Sequence, residues 1–412
     1  MLIARSLRTH RLSSAITAVA TALATGLVMT VFSIESQSRR AFVGGDVGFD
    51  AVLGARGSPL QLVMNAVYHL DTSPGNIPWS LYEQMKADPR VSLAIPYAVG
   101  DNYAGFRIVG TTSDLFERFT RNGRSLSFEA GGRAFDAARR EAVLGSMVAD
   151  RTRLATGATF LPIHGTSHEG HEHEHDEYTV VGVLAPTNTP MDRVIWIPIE
   201  GIYRMEGHVL HGTGQPFVAD PASDIPTEHR EVSAVMLKLR GPESGLALRE
   251  IIQRRRSDAT LAWPIAAVMG DLFDKLGWMS RVLLSVAYLV MLVAAAAILA
   301  ALYNTMNERR REFAILRALG ARRGAIFAVV IGEAAAIAGC GAFIGVALYG
   351  GLITAVAAVI REQTGVMLNV LAAPPGVWWA PLLMAALGAL AGVLPAIRAY
   401  SVEVAENLGH GG

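Results

Sequence analysis

Four long stretches of the chain are apolar and almost free of charge. They cover residues 15–34, 282–303, 325–360 and 377–396. About 20 helical residues cross a hydrocarbon core of about 30 Å, so each stretch is long enough to span a membrane. The third stretch exceeds one upright crossing and carries Glu333 near its start, so we expect its first turns to extend beyond the membrane. The pattern predicts four transmembrane helices.

The first stretch has a second interpretation as a secretory signal peptide, because Arg5, Arg8 and Arg11 precede it. The apolar core of a signal peptide usually has about 7 to 15 residues. This run is longer, and no small-residue cleavage site follows it at residues 35–40. We therefore expect an uncleaved membrane anchor.

Arginines mark one side of the predicted helices. The flanking ones are Arg5, Arg8, Arg11, Arg309, Arg310, Arg311, Arg317, Arg322, Arg323 and Arg398. Basic residues near helix ends are retained on the cytoplasmic side. The N-terminal segment 1–14, the loop 304–324 and the tail 397–412 are therefore expected in the cytoplasm.

The other two connections are expected outside the cytoplasm. The turn 361–376 has Arg361 as its one basic residue, and the long segment 35–281 lies on the same side by chain order. Short β-branched runs in the long segment predict strands, at residues 106–112, 178–184, 193–199 and 234–240. Residues 79–89 and 244–256 have helical patterns, each beginning beside a serine, Ser80 or Ser244, that can cap it. These elements predict a mixed α/β domain inserted between helices 1 and 2.

Composition is typical of a membrane protein. Hydrophobic residues make up 51% of the chain and charged residues 17%, whereas a soluble domain has about 25% charged residues. The formal net charge is zero, so no overall field favours nucleic acid as a partner. Cys340 is the single cysteine, which excludes an intramolecular disulfide.

The cytoplasmic loop 304–324 has an amphipathic pattern. Apolar residues such as Phe313 and Leu319 alternate with charged ones, which predicts a short helix at the membrane surface. Gly320 fits the C-terminal end of this helix, because a left-handed residue is easiest for glycine. The helix can anchor in lipid headgroups or dock in a protein groove, and the mixture of acids with arginines favours the groove.

The same loop carries a family resemblance. ERRREFAILRALGARRGAI, residues 308–326, resembles the segment after the second membrane helix in ABC-transporter permeases of the FtsX-like, MacB-type group. The four-helix layout, the large outer segment and the closing GVLPAIRAYSVEVAENL, residues 392–408, are similar to the same group. The resemblance extends over the whole chain and is most specific from Val282 onward. It implies a MacB-like extracytoplasmic domain at residues 35–281, in a bacterial inner membrane.

The resemblance also implies a mechanism called mechanotransmission. The permease pairs with a second copy or a related permease, and ATP-driven closure of a separate ATPase moves the outer domains. By match to the group's motif, coupling to the ATPase falls on Glu308, Arg309, Arg310, Arg311, Glu312, Leu316, Arg317 and Gly320. Glu333 lies at a position that is often polar in this group. It is a functional candidate as an ionisable group in a membrane helix, or a structural residue with polar partners near the interface.

No catalytic pattern accompanies this layout. The chain has no G-x-x-x-x-G-K-[ST] loop for phosphates, so we expect ATP to bind the partner. No nucleophile elbow or spaced pair of carboxylates indicates an enzyme. The expected function is a permease subunit that serves export, extraction of lipids or lipoproteins, or activation of a periplasmic partner. The sequence does not identify the cargo.

One outer segment points to a metal. HGTSHEGHEHEHDEY, residues 164–178, holds five histidines and five carboxylates. Imidazole nitrogen and carboxylate oxygen are ligands of Zn²⁺, and the candidate ligands are His164, His168, His171, His173 and His175. The alternative is a solvated low-complexity loop without metal. A second function class follows from this loop: a membrane-anchored zinc-binding or sensor protein without transport.

Overall fold

A computed structural model of the chain describes residues 11–165, 176–205, 225–254, 259–308, 312, 315 and 318–400. The chain divides into two compact units. The helical unit comprises Met1–Ser38, Lys275–Val359 and Leu368–Gly412, and the sheet unit comprises Arg39–Asp274 and Ile360–Met367.

The described elements are numbered in chain order. The α-helices are α1 (Arg11–Phe42), α2 (Pro59–Ala66), α3 (Trp79–Ala87), α4 (Asp114–Glu117), α5 (Ser146–Thr152), α6 (Ile199–Arg204), α7 (Pro242–Arg254), α8 (Ile265–Glu308), α9 (Arg323–Thr364), α10 (Trp379–Ala391) and α11 (Val393–Tyr400). The strands are β1 (Ala51–Ala55), β2 (Ile77–Pro78), β3 (Val91–Tyr103), β4 (Phe106–Thr111), β5 (Thr120–Arg121), β6 (Arg124–Ser125), β7 (Glu141–Leu144), β8 (Thr159–Phe160), β9 (Ile163–His164), β10 (Tyr178–Val183), β11 (Val194–Pro198), β12 (Glu231–Val232), β13 (Ala234–Leu239) and β14 (Ala259–Ala262). Short 3₁₀ helices cover Pro190–Arg193, Thr227–His229 and Pro375–Trp378.

A mixed sheet organises the sheet unit. Ten strands pair in the order β14-β1-β13-β3-β4-β11-β7-β10-β8, and β9 pairs with β3. The β4–β11 and β7–β10 pairs are parallel and the others antiparallel. The first half of β3 pairs with β13 and its second half with β4, and the register shifts between Val99 and Asp101. The bulge lets one long strand join the two parts of the sheet.

Apolar side chains cover both faces of this sheet. In β11, Ile195 and Ile197 lie in one buried cluster, whereas Val194 and Trp196 lie in the other. This alternation follows from the two-residue period of a strand. Helices α3, α6 and α7 contribute to the first cluster, and α2 contributes to the second. Because both faces are buried, the central strands are apolar nearly throughout.

The four strands predicted from β-branched runs are confirmed as β4, β10, β11 and β13. Strand β3 was not predicted, because Pro96, Gly100 and Asp101 interrupt its apolar pattern. The expected serine caps are wrong. Helix α3 begins after Pro78 without a side-chain cap, and Ser244 lies inside α7.

Four described helices are long and apolar enough to cross a membrane, by length and composition. They are Arg11–Phe42, Ile265–Glu308, Gly324–Thr364 and Pro375–Ile397. All described strands of the sheet unit lie between the first and second of them in the chain. The predicted fold class, four membrane helices with an inserted mixed α/β domain, is confirmed.

The fourth membrane helix is interrupted near its end. Helix α10 ends at Ala391 and α11 begins at Val393. Pro395 has no amide hydrogen, and its ring crowds the carbonyl four residues earlier, which is that of Ala391. At the interruption, a Cβ added to Gly392 would lie 2.7 Å from the Cβ of Ala334, so the two helices are in close contact there.

Glycines also bring α9 against α1. A Cβ added to Gly341 would lie 2.6 Å from the Cβ of Thr21, and one added to Gly345 would lie 2.7 Å from the Cβ of Thr25. The threonine hydroxyls donate to carbonyls one turn earlier in α1, at 2.7 Å from Thr21 and 2.9 Å from Thr25. The polar groups are thus satisfied within α1, and small residues allow close packing without a hydrophobic driving force.

We expect Gly345→Leu to destabilise the helical unit, because the new side chain has no room beside Thr25. Overpacking of a filled interior usually costs about 1–3 kcal/mol. The matched control is Gly351→Leu in the same helix, where no described atom lies within 4 Å of an added Cβ. Thermal unfolding of the detergent-solubilised chain measures both, and equal losses in the two variants would contradict this packing.

Candidate functional site

The last residues of α9 and the turn that follows them pack on the sheet unit, and we call this segment, Ile360–Met367, the turn after α9. Residues Ile360–Met367 belong to the same compact unit as the sheet. Val366 is 7% exposed and lies in the buried cluster that contains Trp196. Gly365 has a φ of +74°, and a Cβ there would lie 2.8 Å from the carbonyl oxygen of Thr189. Only glycine fits this conformation and this close approach without strain.

The segment that receives Gly365 is held by the carboxylate of Asp192. This carboxylate accepts hydrogen bonds from Thr187 N–H at 2.9 Å, Thr187 Oγ1 at 2.7 Å and Asn188 N–H at 2.8 Å. Asp192 is buried. A buried and satisfied network of this kind rigidifies its surroundings, so the surface facing Gly365 is held in one conformation.

Two arginines of the sheet unit bind the turn. Arg151 Nη2 lies 2.7 Å from Glu362 Oε1, and Arg193 Nη1 donates to the Gln363 carbonyl. Arg151 lies in the last turn of α5, and Arg193 ends the 3₁₀ helix before β11. Both line a cavity of about 430 Å³, which we call the arginine cavity, together with Tyr103, Ala104, Gly105, Phe106, Met147, Thr152 and Glu362.

Positive charge predominates near this cavity. Burial lowers the pKa of Arg193, and the charge of Glu362 acts in the opposite direction. Burial also lowers the pKa of Arg107. The charge of Arg193 acts in the same direction, and the Asp71 carboxylate acts against it. Arg107 Nη1 donates to the Asp71 carbonyl at 2.9 Å. Arg107, Arg151 and Arg193 therefore lie near only two carboxylates, those of Asp71 and Glu362.

His69 lies half-buried beside these arginines. Its φ is +55°, and its ring packs edge-on against Trp196 with centroids 6.1 Å apart. Its Nδ1 atom has no hydrogen-bond partner among the described residues. Burial, aided by the charges of Arg107 and Arg193, lowers the pKa of His69 to about 3. The imidazole is therefore neutral in the folded protein at physiological pH.

The two ends of the predicted metal loop are fixed to the sheet. His164 pairs with Asp101 through the β9–β3 ladder, and Asn102 Nδ2 donates to the Gly165 carbonyl at 2.7 Å. At the other end, the Asp176 carboxylate lies 2.7 Å from Arg140 Nη2 and is buried. The loop therefore starts and ends at ordered positions.

Carboxylates lie at the base of this loop. Asp101 is fully buried, and burial together with the charges of Asp176 and Asp101 raises the pKa of Tyr178. Among the described residues, no group of three or more His, Cys, Asp or Glu side chains could hold a metal. His168, His171, His173 and His175 lie outside the described residues, as does the side chain of His164.

The predicted coupling residues are described only in part. Glu308 is exposed at the end of α8, Glu312 is helical and exposed, and Gly320 has a φ of +96°. The left-handed conformation predicted for Gly320 is thus confirmed. The remaining coupling candidates, Arg309, Arg310, Arg311, Leu316 and Arg317, lie outside the described residues.

Glu333 is buried in α9, where it is 5% exposed. Its neighbour Ala334 contacts Gly392 at the interruption of the fourth membrane helix. Burial of an ionisable group in a membrane helix agrees with both interpretations of this residue, functional or structural.

Sequence reasoning did not find Arg151, Arg193, Glu362 or His69. The positions of Arg151 and Glu362 differ by 211 along the chain, and neither belongs to a motif. The turn was predicted only as an outer connection. Its one local signal is Gly365, which stands where the polar residues 361–364 give way to the apolar residues 366–368.

Comparison with known proteins covers most of the chain. The family described as "FtsX-like permease C-terminal" matches residues 284–404, and the family described as "MacB-like periplasmic core domain" matches residues 14–255. No curated protein matches the chain.

Two solved structures are similar to parts of the chain. The periplasmic region of MacB from Actinobacillus actinomycetemcomitans is 9% identical with a TM-score of 0.36, and the match covers 57% of this chain and 98% of that one. The extracellular domain of the noncanonic ABC-type transporter YknZ from Gram-positive bacteria is 13% identical with a TM-score of 0.30, and the match covers 52% of this chain and 99% of that one.

We expect His69→Asn to reduce the acid sensitivity of the protein. In the wild type, the pKa of His69 falls from 6.5 to about 3 on folding, so the unfolded state binds more protons between these values. Stability is then lost as pH falls below 6.5, by about 2 kcal/mol at pH 5. Asparagine tolerates positive φ and does not titrate in this range.

The measurement is the unfolding temperature of the full chain in detergent at pH 7, 6 and 5. His229→Asn serves as the matched control, because His229 is partly exposed at the end of a short helix. If the unfolding temperature of His69→Asn fell between pH 7 and pH 5 as steeply as that of the wild type, this histidine would not be the cause of the lost stability.

Proposed function

Because the chain belongs to the family of FtsX-like permeases with a MacB-like periplasmic core domain, we propose that it is a permease subunit driven by a separate ABC ATPase. ATP hydrolysis in that partner moves the sheet unit, and this movement serves export, extraction of lipids or lipoproteins, or activation of a periplasmic protein. The permease works with a second copy or a related permease. The match of two permease-type families to successive parts of one chain is the observation that carries the proposal.

The connections of the helices support mechanical coupling. Helices α1 and α8 each run from the helical unit into the sheet unit without interruption. The turn after α9 is held by Arg151, Arg193 and the contact of Gly365 with Thr189. Three of the four membrane helices thus continue along the chain into residues of the sheet unit. A force applied at their other ends has continuous helices along which to act.

Tryptophans support the proposed membrane boundaries, and arginines support the orientation. Trp278 precedes the apolar stretch of α8 and is 60% exposed, and Trp379 at the start of α10 is 72% exposed. Tryptophans are enriched at both membrane–water interfaces, whereas arginines are enriched at the cytoplasmic ends. The arginine-rich loop follows the opposite end of α8. We therefore assign both termini to the cytoplasm and the sheet unit to the periplasm.

The coupling segment is assigned to the loop between α8 and α9. Glu308 and Glu312 are exposed there, and Leu319 is 79% exposed. An exposed leucine among charged residues suits a protein groove, where a few buried residues carry most of the binding energy. This exposure supports docking of residues 308–320 on the ATPase.

We expect the double substitution Leu316→Asp, Leu319→Asp to abolish binding of the ATPase. Loss of interface anchors worth about 1.4 kcal/mol or more lowers affinity at least about tenfold. The measurement is the amount of ATPase that co-purifies with the permease in mild detergent. Leu246→Asp on α7 is the matched control, because Leu246 is equally apolar and 60% exposed but lies in the sheet unit.

Insertion and orientation are checked in the same variants. A cysteine at Asn307, in a Cys340→Ala background, should react only with a reagent added from the cytoplasmic side. Labelling from the outside would contradict the orientation. If the double variant bound the ATPase as strongly as the wild type does, the coupling surface would lie elsewhere in the chain.

We also assign the loop 164–178 as a Zn²⁺ site. The histidine and carboxylate content suits four-coordinate zinc, and the fixed ends at Gly165 and Asp176 limit the span that the loop must close. Limiting that span reduces the entropy lost when the ligands converge. Zinc binding would connect transport to periplasmic metal.

We expect substitution of His164, His168, His171, His173 and His175 by alanine to remove Zn²⁺ binding. Calorimetric titration of the full chain in detergent measures it, with Thr166→Ala, Ser167→Ala as the control, because these two polar positions of the loop carry no candidate zinc ligand. Equal binding by the wild type and the histidine variant would eliminate this loop as the site.

The assembled complex separates the two function classes. Zn²⁺-dependent ATPase activity that disappears in the histidine variant would link the metal to transport. Zinc binding in a chain that neither recruits nor stimulates an ATPase would favour a membrane-anchored zinc protein.

A further inference from the structure

The arginine cavity has the size and lining of a ligand site. Its volume of about 430 Å³ lies within the range of about 300–1,000 Å³ typical of small-molecule pockets. Arg151, Arg193 and Glu362 supply charge, and Tyr103 and Phe106 supply aromatic surface. Neither the proposed coupling segment nor the proposed zinc loop contributes to it.

The guanidinium of Arg193 has unused donors. Its described hydrogen bond runs from Nη1 to the uncharged Gln363 carbonyl, and Nε has no partner among the described residues. Burial lowers the pKa of this group, which reflects a partly desolvated charge. An anion in the cavity would supply the charge and the hydrogen-bond acceptors that this guanidinium lacks.

The neighbouring charges also favour an anion. Arg107 adds positive charge beside Arg193, and its nearby carboxylate, Asp71, also accepts the hydrogen bond of Thr72 N–H at 2.7 Å. Glu362 is the one acidic residue that lines the cavity among the described residues. The local balance is therefore positive even with Glu362 in place.

The Arg151–Glu362 pair can be displaced. Both side chains are 57% exposed, and exposed ion pairs contribute little to stability. A ligand anion that carries more charge than one carboxylate can therefore take the place of Glu362 at Arg151. The guanidinium fork suits phosphate, which accepts two parallel hydrogen bonds from one arginine.

The position along the chain indicates where such a phosphate is found. Glu362 lies two residues after Ile360, where the apolar stretch of α9 ends, with Arg361 between them. One residue of helix advances about 1.5 Å, so Glu362 is within about one helical turn of the hydrocarbon boundary. Phosphate groups of membrane lipids lie at this level.

We propose that the arginine cavity binds a phosphate group between Arg151 and Arg193 and that this phosphate displaces Glu362. Either a phospholipid headgroup or a soluble phosphate can supply the group. This binding does not depend on the transport function. Displacement of Glu362 removes one of the contacts that hold the turn after α9 to the sheet unit, so the ligand also loosens that attachment.

The test is calorimetric titration of the full chain in a phosphate-free detergent, with dihexanoyl phosphatidylglycerol and inorganic phosphate as probes. We expect Arg193→Gln to weaken binding about tenfold or more, the usual effect of losing a charge-assisted hydrogen bond. Glu362→Gln should tighten binding several-fold, because it removes the competing carboxylate. A gain in affinity cannot arise from misfolding.

Arg254→Gln is the matched control, because Arg254 is an exposed arginine paired with Glu250 outside the cavity; its affinity should equal that of the wild type. Binding of the lipid but not of inorganic phosphate identifies a headgroup site, and equal competition by inorganic phosphate identifies a site for the free anion. Dihexanoyl glycerol, which lacks phosphate, should not bind. Equal binding of it, unchanged binding in Arg193→Gln, or unchanged affinity in Glu362→Gln would overturn the proposal.

Discussion

The absence of water from the hydrocarbon core constrains the entire architecture. Backbone N–H and C=O groups in lipid must bond to one another, and a helix achieves this within a single segment. Helices α1 and α8 keep this bonding beyond their apolar stretches, up to Phe42 and from Ile265. Strands occur in the sheet unit, where both faces can be covered by protein. The same constraint explains why polar residues of α1, such as Thr21, bond to carbonyls of their own helix.

The turn after α9 is far along the chain from the strands of the sheet unit, and noncovalent contacts attach it to that unit. Gly365 fits closely against Thr189, Val366 is buried, and Arg193 binds the Gln363 carbonyl. These contacts are mainly packing and hydrogen bonds and are independent of the exposed Arg151–Glu362 pair. Packing therefore fixes where the turn lies, while the ion pair adds a contact that charge can modulate. A structure with both elements can keep its shape and still respond to a ligand.

The two candidate sites of the sheet unit differ in how sequence reveals them. The histidine loop is a local cluster of five histidines, visible in fifteen consecutive residues. The structure adds its fixed ends, at Gly165 through Asn102 and at Asp176 through Arg140. The arginine cavity has no local signature, because its residues come from α5, the segment before β11 and the turn after α9. Composition therefore points to the first site and folding alone assembles the second.

Sequence by itself determined the four membrane helices, the inserted α/β domain and the likeness to the FtsX-like, MacB-type permeases. Each of these rests on short-range patterns: apolar length, period-two strands, and the motif around Gly320. Tertiary structure alone decided the course of β3, because the bulge beside Gly100 interrupts its period. It also decided the contact of Gly392 with Ala334, the contact of Gly345 with Thr25, and the proximity of Arg151 to Glu362. Such contacts join residues far apart in the chain, where no local pattern records which side chains will meet.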